Sequence, residues 1–531
     1  MLQDEVILGA LGSVRVLGDG RRRGWPTVLK VLLAVLGPGL IAMVNDAAAF
    51  GTYTQAGQDY GTALLWTMVL LIPVLYVNQE MVVRLGAVTG VGHARLIRQR
   101  FGRLWCFFCV TDLLLVNALT VMTEFIGVCL AVGYLGFPRP VSVCVATVVV
   151  LAAATTGSFR RFERIAITLC AASLLLVPVG IMVHPSASAM ATGLLGPGLP
   201  GGAELSDVLL LTIGIIGAAV TPWQLFFQQS YVVDKRITPR FLRYGKADLC
   251  VGIATTVVGG LAVMGCAAAA FAGRPGAGGY TDAGAVARGL EQYAGRATGV
   301  LFAVALLAGS VIGACAVSLS TAYTLGDALG WRHSLHHGPR QARAFHLVIA
   351  VLAVVSAIVV LTPGMPLGVI AEGVQALAGV LLPSASVFLL LLCNDRALLG
   401  PWVNTRAQNA VAALAVAVLA VLSLVLTVAV AFPGLSAMAL VAVLASASAV
   451  ALLLAGAYAL ARRSHARTAA VPAPPPAVTV AREEWRTPAL HTLPPPGLSP
   501  GRRLALIVLR AYLASAVVLV VVKTVQLALR H

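Results

Sequence analysis

"LIAMVNDAAAFG", residues 40–51, sets a carboxylate, Asp46, with Asn45 beside it, near the end of an otherwise mostly apolar stretch that begins around Val31. A charge at the centre of a membrane-spanning helix costs roughly 2.5–3.5 kcal/mol on insertion scales, so a residue of this kind marks either function or a buried pairing. Whether the stretch lies in a membrane is decided by the rest of the chain.

Of the 531 residues, 59% are hydrophobic and 11% charged, and the mean hydropathy is +0.92. No water-soluble domain hides that much apolar surface. A bilayer core of about 30 Å takes about 20 apolar residues per helix. Stretches of about this length fall at 31–50, 62–83, 105–133, 140–157, 164–184, 206–231, 247–273, 298–329, 344–362, 369–393, 408–432 and 437–461. They predict an all-α polytopic membrane protein. A segment 1–30 precedes them, residues 31–184 and 206–393 hold five helices each, and 408–461 holds helices 11 and 12. A basic, Pro-rich stretch at 462–503 reads as an exposed, extended linker. Residues 504–531 form either a thirteenth span or an interfacial helix, with Arg510 inside them leaving both open.

Loops rich in Lys and Arg stay on the cytoplasmic side. Arg21 to Arg23, Arg84 to Arg103, Arg160 to Arg164 and the loops after spans 6, 8, 10 and 12 all fall on one side, whereas residues 184–207 carry no Lys or Arg. This places the N-terminus in the cytoplasm and the chain in the plasma membrane. The net charge of +17 follows from this topology, so no nucleic-acid partner is expected. The N-terminus lacks the pattern of a cleavable signal. Nine cysteines, an odd number lying in or beside the spans, form no secreted disulfide framework; "CFFC" at Cys106 and Cys109 reads as small apolar residues in a helix.

A second polar region is "IGIIGAAVTPWQLFFQQS", residues 213–230. Pro222 removes a backbone donor and clashes with the carbonyl four residues back, so the helix kinks or opens and leaves carbonyls free at Ala218 and Ala219. Opened backbone at membrane depth is tolerated only where it is buried or lines a polar cavity. Thr221, Trp223, Gln224, Gln228 and Gln229 supply such a lining. The interrupted spans, first and sixth, are five helices apart, the spacing of a five-plus-five inverted repeat in which two broken helices meet at a midplane site. Glu124 is a third buried carboxylate, and Gln375 a polar residue in span 10. The alternative readings are that Asp46 pairs with a neighbour or reaches water, that Pro222 is a packed kink, and that Glu124 and Gln375 pair with a neighbouring helix. Asp112 and Glu372 lie closer to span ends. The cluster His333, His336 and His337 reads as a solvated loop without acidic partners. No nucleophile with an adjacent base lies at membrane depth, so an enzyme is not expected.

"GPGLIAMVNDAAAFGTYTQAGQDYGTALLW" resembles the first-helix region of the NRAMP divalent-metal transporters, "QEMVVRLGAVTG" fits the same family, and "GIIGAAVTPWQLFFQQS" and "LLPSASVFLLLLCNDRALLGPWVNTR" are similar to its sixth- and tenth-helix regions. The resemblance runs from about residue 31 to 430. It implies the leucine-transporter fold, alternating access and uptake of a divalent cation, with Asp46 as carboxylate ligand, Ala218 as carbonyl ligand and Gln375 near the ion. The departures are specific. Ala49 stands at the family's asparagine ligand, Thr221 at its methionine, Trp223 and Gln228 at its two sixth-helix histidines, and Val121 at its third-helix aspartate, while Glu124 matches its glutamate. Only six residues separate GPG from Asp46, where the family leads one to expect eight.

A thioether favours transition metals, whereas hydroxyl, carboxylate, carbonyl and water suit Mg²⁺, which dehydrates reluctantly and keeps several waters. Asp46, Asn45, Thr221 and a carbonyl therefore suit a partly hydrated Mg²⁺, as in the NRAMP-related magnesium transporters that this pattern resembles. Without the histidines and the aspartate, proton coupling is not expected. The expected substrate is Mg²⁺, slightly ahead of Mn²⁺, with no cofactor, the lipid bilayer as surroundings, and nothing that demands more than a monomer. The alternatives are a proton-coupled Mn²⁺/Fe²⁺ importer and a non-transporting membrane sensor or scaffold. Ala47, Ala48 and Ala49, strong helix formers, favour a helix that continues past Asp46.

Overall fold

The computed structural model describes residues 25–364, 384–450 and 482–494, apart from a few residues inside those ranges, with isolated positions beyond. Gln375, Glu372 and nearly all of 504–531 lie outside the described residues. Among the described residues there are helices and turns and no strand. The first half runs α1 (Trp25–Val35), α2 (Pro38–Ala42), α3 (Ala47–Tyr60), α4 (Trp66–Thr89), α5 (His93–Phe101), α6 (Arg103–Tyr134), α7 (Arg139–Thr155) and α8 (Phe159–Ala172), which passes through a 3-10 turn into α9 (Leu176–Val183). After α10 (Ala187–Leu195) the second half runs α11 (Leu205–Ala219), α12 (Pro222–Asp234), α13 (Leu242–Phe271), α14 (Ala283–Ala294), α15 (Arg296–Leu329) and α16 (Arg343–Leu361). Helices α17 (Ser384–Cys393), α18 (Arg396–Leu399), α19 (Arg406–Ala431) and α20 (Met438–Val450) follow.

Eight of the described helical segments are long and apolar enough to cross a membrane, and α7, α17 and α20 are shorter apolar helices. The first predicted span is not among them because its helix is broken, at 43–46. The sixth opens at 220–221. Packing between the halves is reciprocal: α2 and α3 of the first pack on α13 of the second, and α12 of the second packs on α4 of the first. The third helices of the halves, α6 and α15, pack on each other, and so do the fourth, α7 and α16. This exchange of equivalent partners is the five-plus-five inverted repeat.

Two amphipathic helices, α5 and α14, and the short α10 lie in what the sequence presents as loops. In α5 the buried residues His93, Ala94, Leu96, Ile97 and Arg100 fall on one face at helical spacing. The second span also runs further than its hydropathy suggests, because Arg84 stays in the helix and finds partners there. Its guanidinium bonds Glu80 on the preceding turn at 3.1 Å and Asn404 Oδ1 at 2.5 Å, and it reaches the Trp402 carbonyl.

Of the predicted linker at 462–503, residues 482–494 are described. Their side chains are mostly exposed, yet the segment is tethered to the basic end of the bundle. Trp402 Nε1 donates to the Arg482 carbonyl at 2.8 Å, Thr487 Oγ1 to the Leu398 and Val88 carbonyls, and Arg100 to the Pro494 carbonyl at 2.7 Å. The Trp485 ring lies against Gly400, at φ +49, where a Cβ would meet the indole. A composition that is extended for entropic reasons still docks where such anchors recur.

Candidate metal site at the two helix breaks

Asp46 is the N-cap of α3: its Oδ1 accepts the Ala49 N–H at 2.9 Å and its carbonyl accepts the Phe50 N–H at 2.9 Å. The helix therefore does not continue through the alanines. Ala47, Ala48 and Ala49 form the first turn of a second half-helix, since propensity says that alanines sit in a helix and not in which one. A second carboxylate completes the cap. Glu124, from α6, accepts the Ala47 N–H at 3.1 Å. Both acids thus sit at the positive end of α3, and both are buried. Asp46 Oδ2 and Glu124 Oε1 have no hydrogen-bond partner.

Across from this end lies the break in α11 and α12. The Trp223 indole stands beside the Asp46 carboxylate without meeting hydrogen-bond geometry. Ser320 Oγ of α15 donates to the Trp223 carbonyl at 2.9 Å and fixes the first turn of α12. The Thr221 N–H turns to Gln224 Oε1, 3.2 Å away, and Pro222 has no N–H. The carbonyls of Gly217 and Ala218 therefore lose the donors that a continuous helix supplies. Thr221 Oγ1 is buried and unpartnered. The fold thus leaves a carboxylate oxygen, a hydroxyl and two carbonyls unspent at facing breaks. Among the described residues neither Asp46 nor Glu124 pairs with a basic side chain, and no group of three His, Cys, Asp or Glu side chains gathers. The chemistry of the arrangement is that of hard oxygen donors.

The other predicted site residues divide. Gln224 is engaged in the cap of α12. Gln228 is buried with both amide atoms unpartnered, and Trp223 is fully buried. Asn45 is turned to α13, where its Nδ2 donates to the Thr256 carbonyl at 3.2 Å beside Gly259, so its amide nitrogen anchors the break. Gln375 lies outside the described residues. Asp112 bonds Ser384 Oγ at 2.7 Å.

Several polar groups escaped the sequence reading. Asn78 and Gln79 on α4 are buried with every amide atom unpartnered. His93 Nδ1 meets Gln229 Oε1 at 2.7 Å, and Gln229 Nε2 reaches the Val91 carbonyl at 2.8 Å. Below the site, Asp248 of α13 accepts the N–H groups of Gly37 at 2.9 Å, Gly39 at 2.6 Å and Leu40 at 3.3 Å. Lys235 bridges the Leu36 carbonyl at 2.6 Å and Glu163 at 2.5 Å. These bonds hold the basic-end half of the first helix against α13 and α8. Gly37, at φ +142, adopts a backbone that L side chains rarely reach. A Cβ on Gly39 would lie 2.7 Å from the Leu249 backbone. The GPG run is thus explained by close approach. The one signal for Asp248 was a carboxylate at a span end beside Lys246.

The histidine loop is also corrected, because it does have acidic partners. His333 Nε2 lies 3.2 Å from Asp327 Oδ1, and Asp234 accepts from Ser334 Oγ at 2.6 Å and from the Leu335 N–H at 2.9 Å. Burial draws the His333 pKa down, but the hydrogen bond and charge of Asp327 outweigh it and leave the imidazole above the usual 6.5.

The family model described as "Natural resistance-associated macrophage protein-like", Nramp, matches residues 39–429. The chain belongs to that family. Relatives of this Nramp chain include the divalent metal cation transporter MntH of Pectobacterium carotovorum, 30% identical over 294 residues and covering 53% of this chain and 69% of the relative. MntH of Burkholderia ambifaria is 31% identical over 324 residues, covering 57% and 69%. Among solved structures, a manganese transporter of Eremococcus coleocola in complex with an aromatic bis-isothiourea substituted compound matches with a TM-score of 0.63 at 22% identity, covering 84% of the Nramp chain and 97% of that one. At that identity the likeness speaks for the shared fold alone, and it agrees with the inverted repeat described above.

Proposed function

We propose that this chain carries divalent metal cations across a membrane by alternating access, with the ion held between the two helix breaks. One observation carries the reading: two buried carboxylates, Asp46 and Glu124, meet at one helix terminus with no basic partner among the described residues. Uncompensated buried charge is expensive, and a cation entering between the breaks offsets it. Asp46 Oδ2 is the anionic ligand, with Thr221 Oγ1 and the Ala218 carbonyl completing an all-oxygen set and waters filling the remainder. The basic end faces the cytoplasm of a multi-pass plasma-membrane protein, and the ion pairs there close the inward path. The relatives that bear transporter names support this class of activity.

The oxygen set and the absence of a thioether at Thr221 favour Mg²⁺ slightly over Mn²⁺, and Trp223 and Gln228 in place of histidines favour uncoupled movement down the electrochemical gradient. Manganese uptake coupled to protons is the second reading. It draws on the manganese transporter of Eremococcus coleocola, which shares the fold, and on Glu124, a titratable group at the same helix terminus as Asp46. Flux of Mg²⁺ and Mn²⁺ into liposomes, with and without a pH gradient, separates the two. The expected result is flux of both ions, insensitive to the gradient and abolished by Asp46→Ala. Equal flux in wild type and variant would overturn the role of Asp46, and binding without flux of any divalent ion would make the protein a sensor.

A further inference from the structure

We propose that the cavity between α17 and α19 at the basic end binds the phosphate of an anionic phospholipid. The cavity, about 400 Å³, is lined by Asn394, Arg396, Asn404, Arg406 and Asn409, with no carboxylate among its lining residues. The nearest acid in sequence, Asp395, is already taken: its Oδ2 lies 2.5 Å from Arg100 and its Oδ1 accepts the Ala397 N–H. Arg396 and Arg406 are exposed and form no ion pair among the described residues.

The floor is built before any ligand arrives. Asn394 Nδ2 donates to Asn409 Oδ1 at 2.7 Å, Asn409 Nδ2 returns to Asn394 Oδ1 at 2.6 Å, and Asn404 Nδ2 donates to Asn409 Oδ1 at 3.0 Å. At the start of α19 the capping box of Thr405 and Gln408 serves the amides of those two residues, and the cavity's charge comes from side chains. What it offers is two guanidiniums, which bind phosphate oxygens in pairs. Basic pockets between spanning helices on the cytoplasmic side are suited to lipid head groups. Beyond Arg406, α19 exposes Val411, Leu414 and Val418, an apolar stripe along which an acyl chain lies.

The test is native mass spectrometry of the full chain from nanodiscs that contain phosphatidylglycerol or phosphatidylcholine, with inorganic phosphate added in a separate arm. Wild type is expected to retain phosphatidylglycerol preferentially. Arg396→Gln with Arg406→Gln should lose about tenfold or more of that retention, and Arg396→Lys with Arg406→Lys should keep part of it. Equal melting temperatures in phosphatidylcholine discs show that the variants fold, and Arg332→Gln in another basic loop controls for general loss of charge. Displacement by inorganic phosphate supports the phosphate chemistry and makes the source soluble. Undiminished retention by the double Gln variant, no preference between the two lipids, or an equal loss in Arg332→Gln would overturn the proposal.

Discussion

The Asp248 carboxylate accepts three backbone amides of the first helix, and hydrogen bonds to a charged group contribute about 1.5–3 kcal/mol each. Asp248→Ala is therefore expected to lower the melting temperature and loosen residues 36–42. Cys170, whose thiol lies 4.0 Å from the Leu40 carbonyl, reports this: in a background with the other eight cysteines replaced by serine or alanine, it should react faster with a thiol reagent in the Asp248→Ala variant, and an unchanged rate would refute the clamp. Gly39→Ala should cost about 1–3 kcal/mol in chemical denaturation, because the Leu249 backbone cannot yield. His333 gives a pH signature. Its raised folded pKa means that its contribution to stability is full below pH 6.5 and is lost as the pH rises through the raised value. The melting gap between wild type and His333→Gln should be widest in mild acid and close in alkali. Little of this was legible beforehand. Beyond its place at a span end beside Lys246, the sequence offers no reason to single out Asp248, and only the fold reveals that its partners are amides more than two hundred residues away.

At the scale of elements, the two breaks were legible to different degrees. Pro222 opens its helix for a covalent reason that any sequence displays. The break at Asp46 is written only as a misplaced charge, followed by alanines whose propensity points the other way. What decides it is tertiary: Glu124, 77 positions along the chain, supplies the acceptor that the Ala47 N–H requires. Pro222→Ala returns a donor to the Ala218 carbonyl and permits α11 to run on into α12. That variant should melt at a higher temperature yet bind the metal ion more weakly, as isothermal titration would show. The helices α5 and α14 escaped notice because hydropathy averaged over a span-length window erases a short amphipathic face, and the nine-residue α10 is too short to register as a span.

For the molecule as a whole, the inverted repeat and the eight membrane-length helices among the described residues were readable because bilayer thickness sets a length that hydropathy reports directly. The donors meeting at the candidate site come from both halves, so neither repeat holds it alone. The docked 482–494 segment was not readable, since its Pro-rich flanks mask isolated anchors such as Trp485. Truncation after residue 481 should leave metal binding unchanged and make 396–405 more sensitive to limited proteolysis. The same segment bears on how the protein is made. Thr487 bonds the Val88 carbonyl across 399 positions of chain, and at ribosomal rates of about 5–20 residues per second those positions take roughly 20–80 s to emerge. The carbonyl end of α4 therefore waits without this partner until residue 487 has emerged, long after α4 itself has been made.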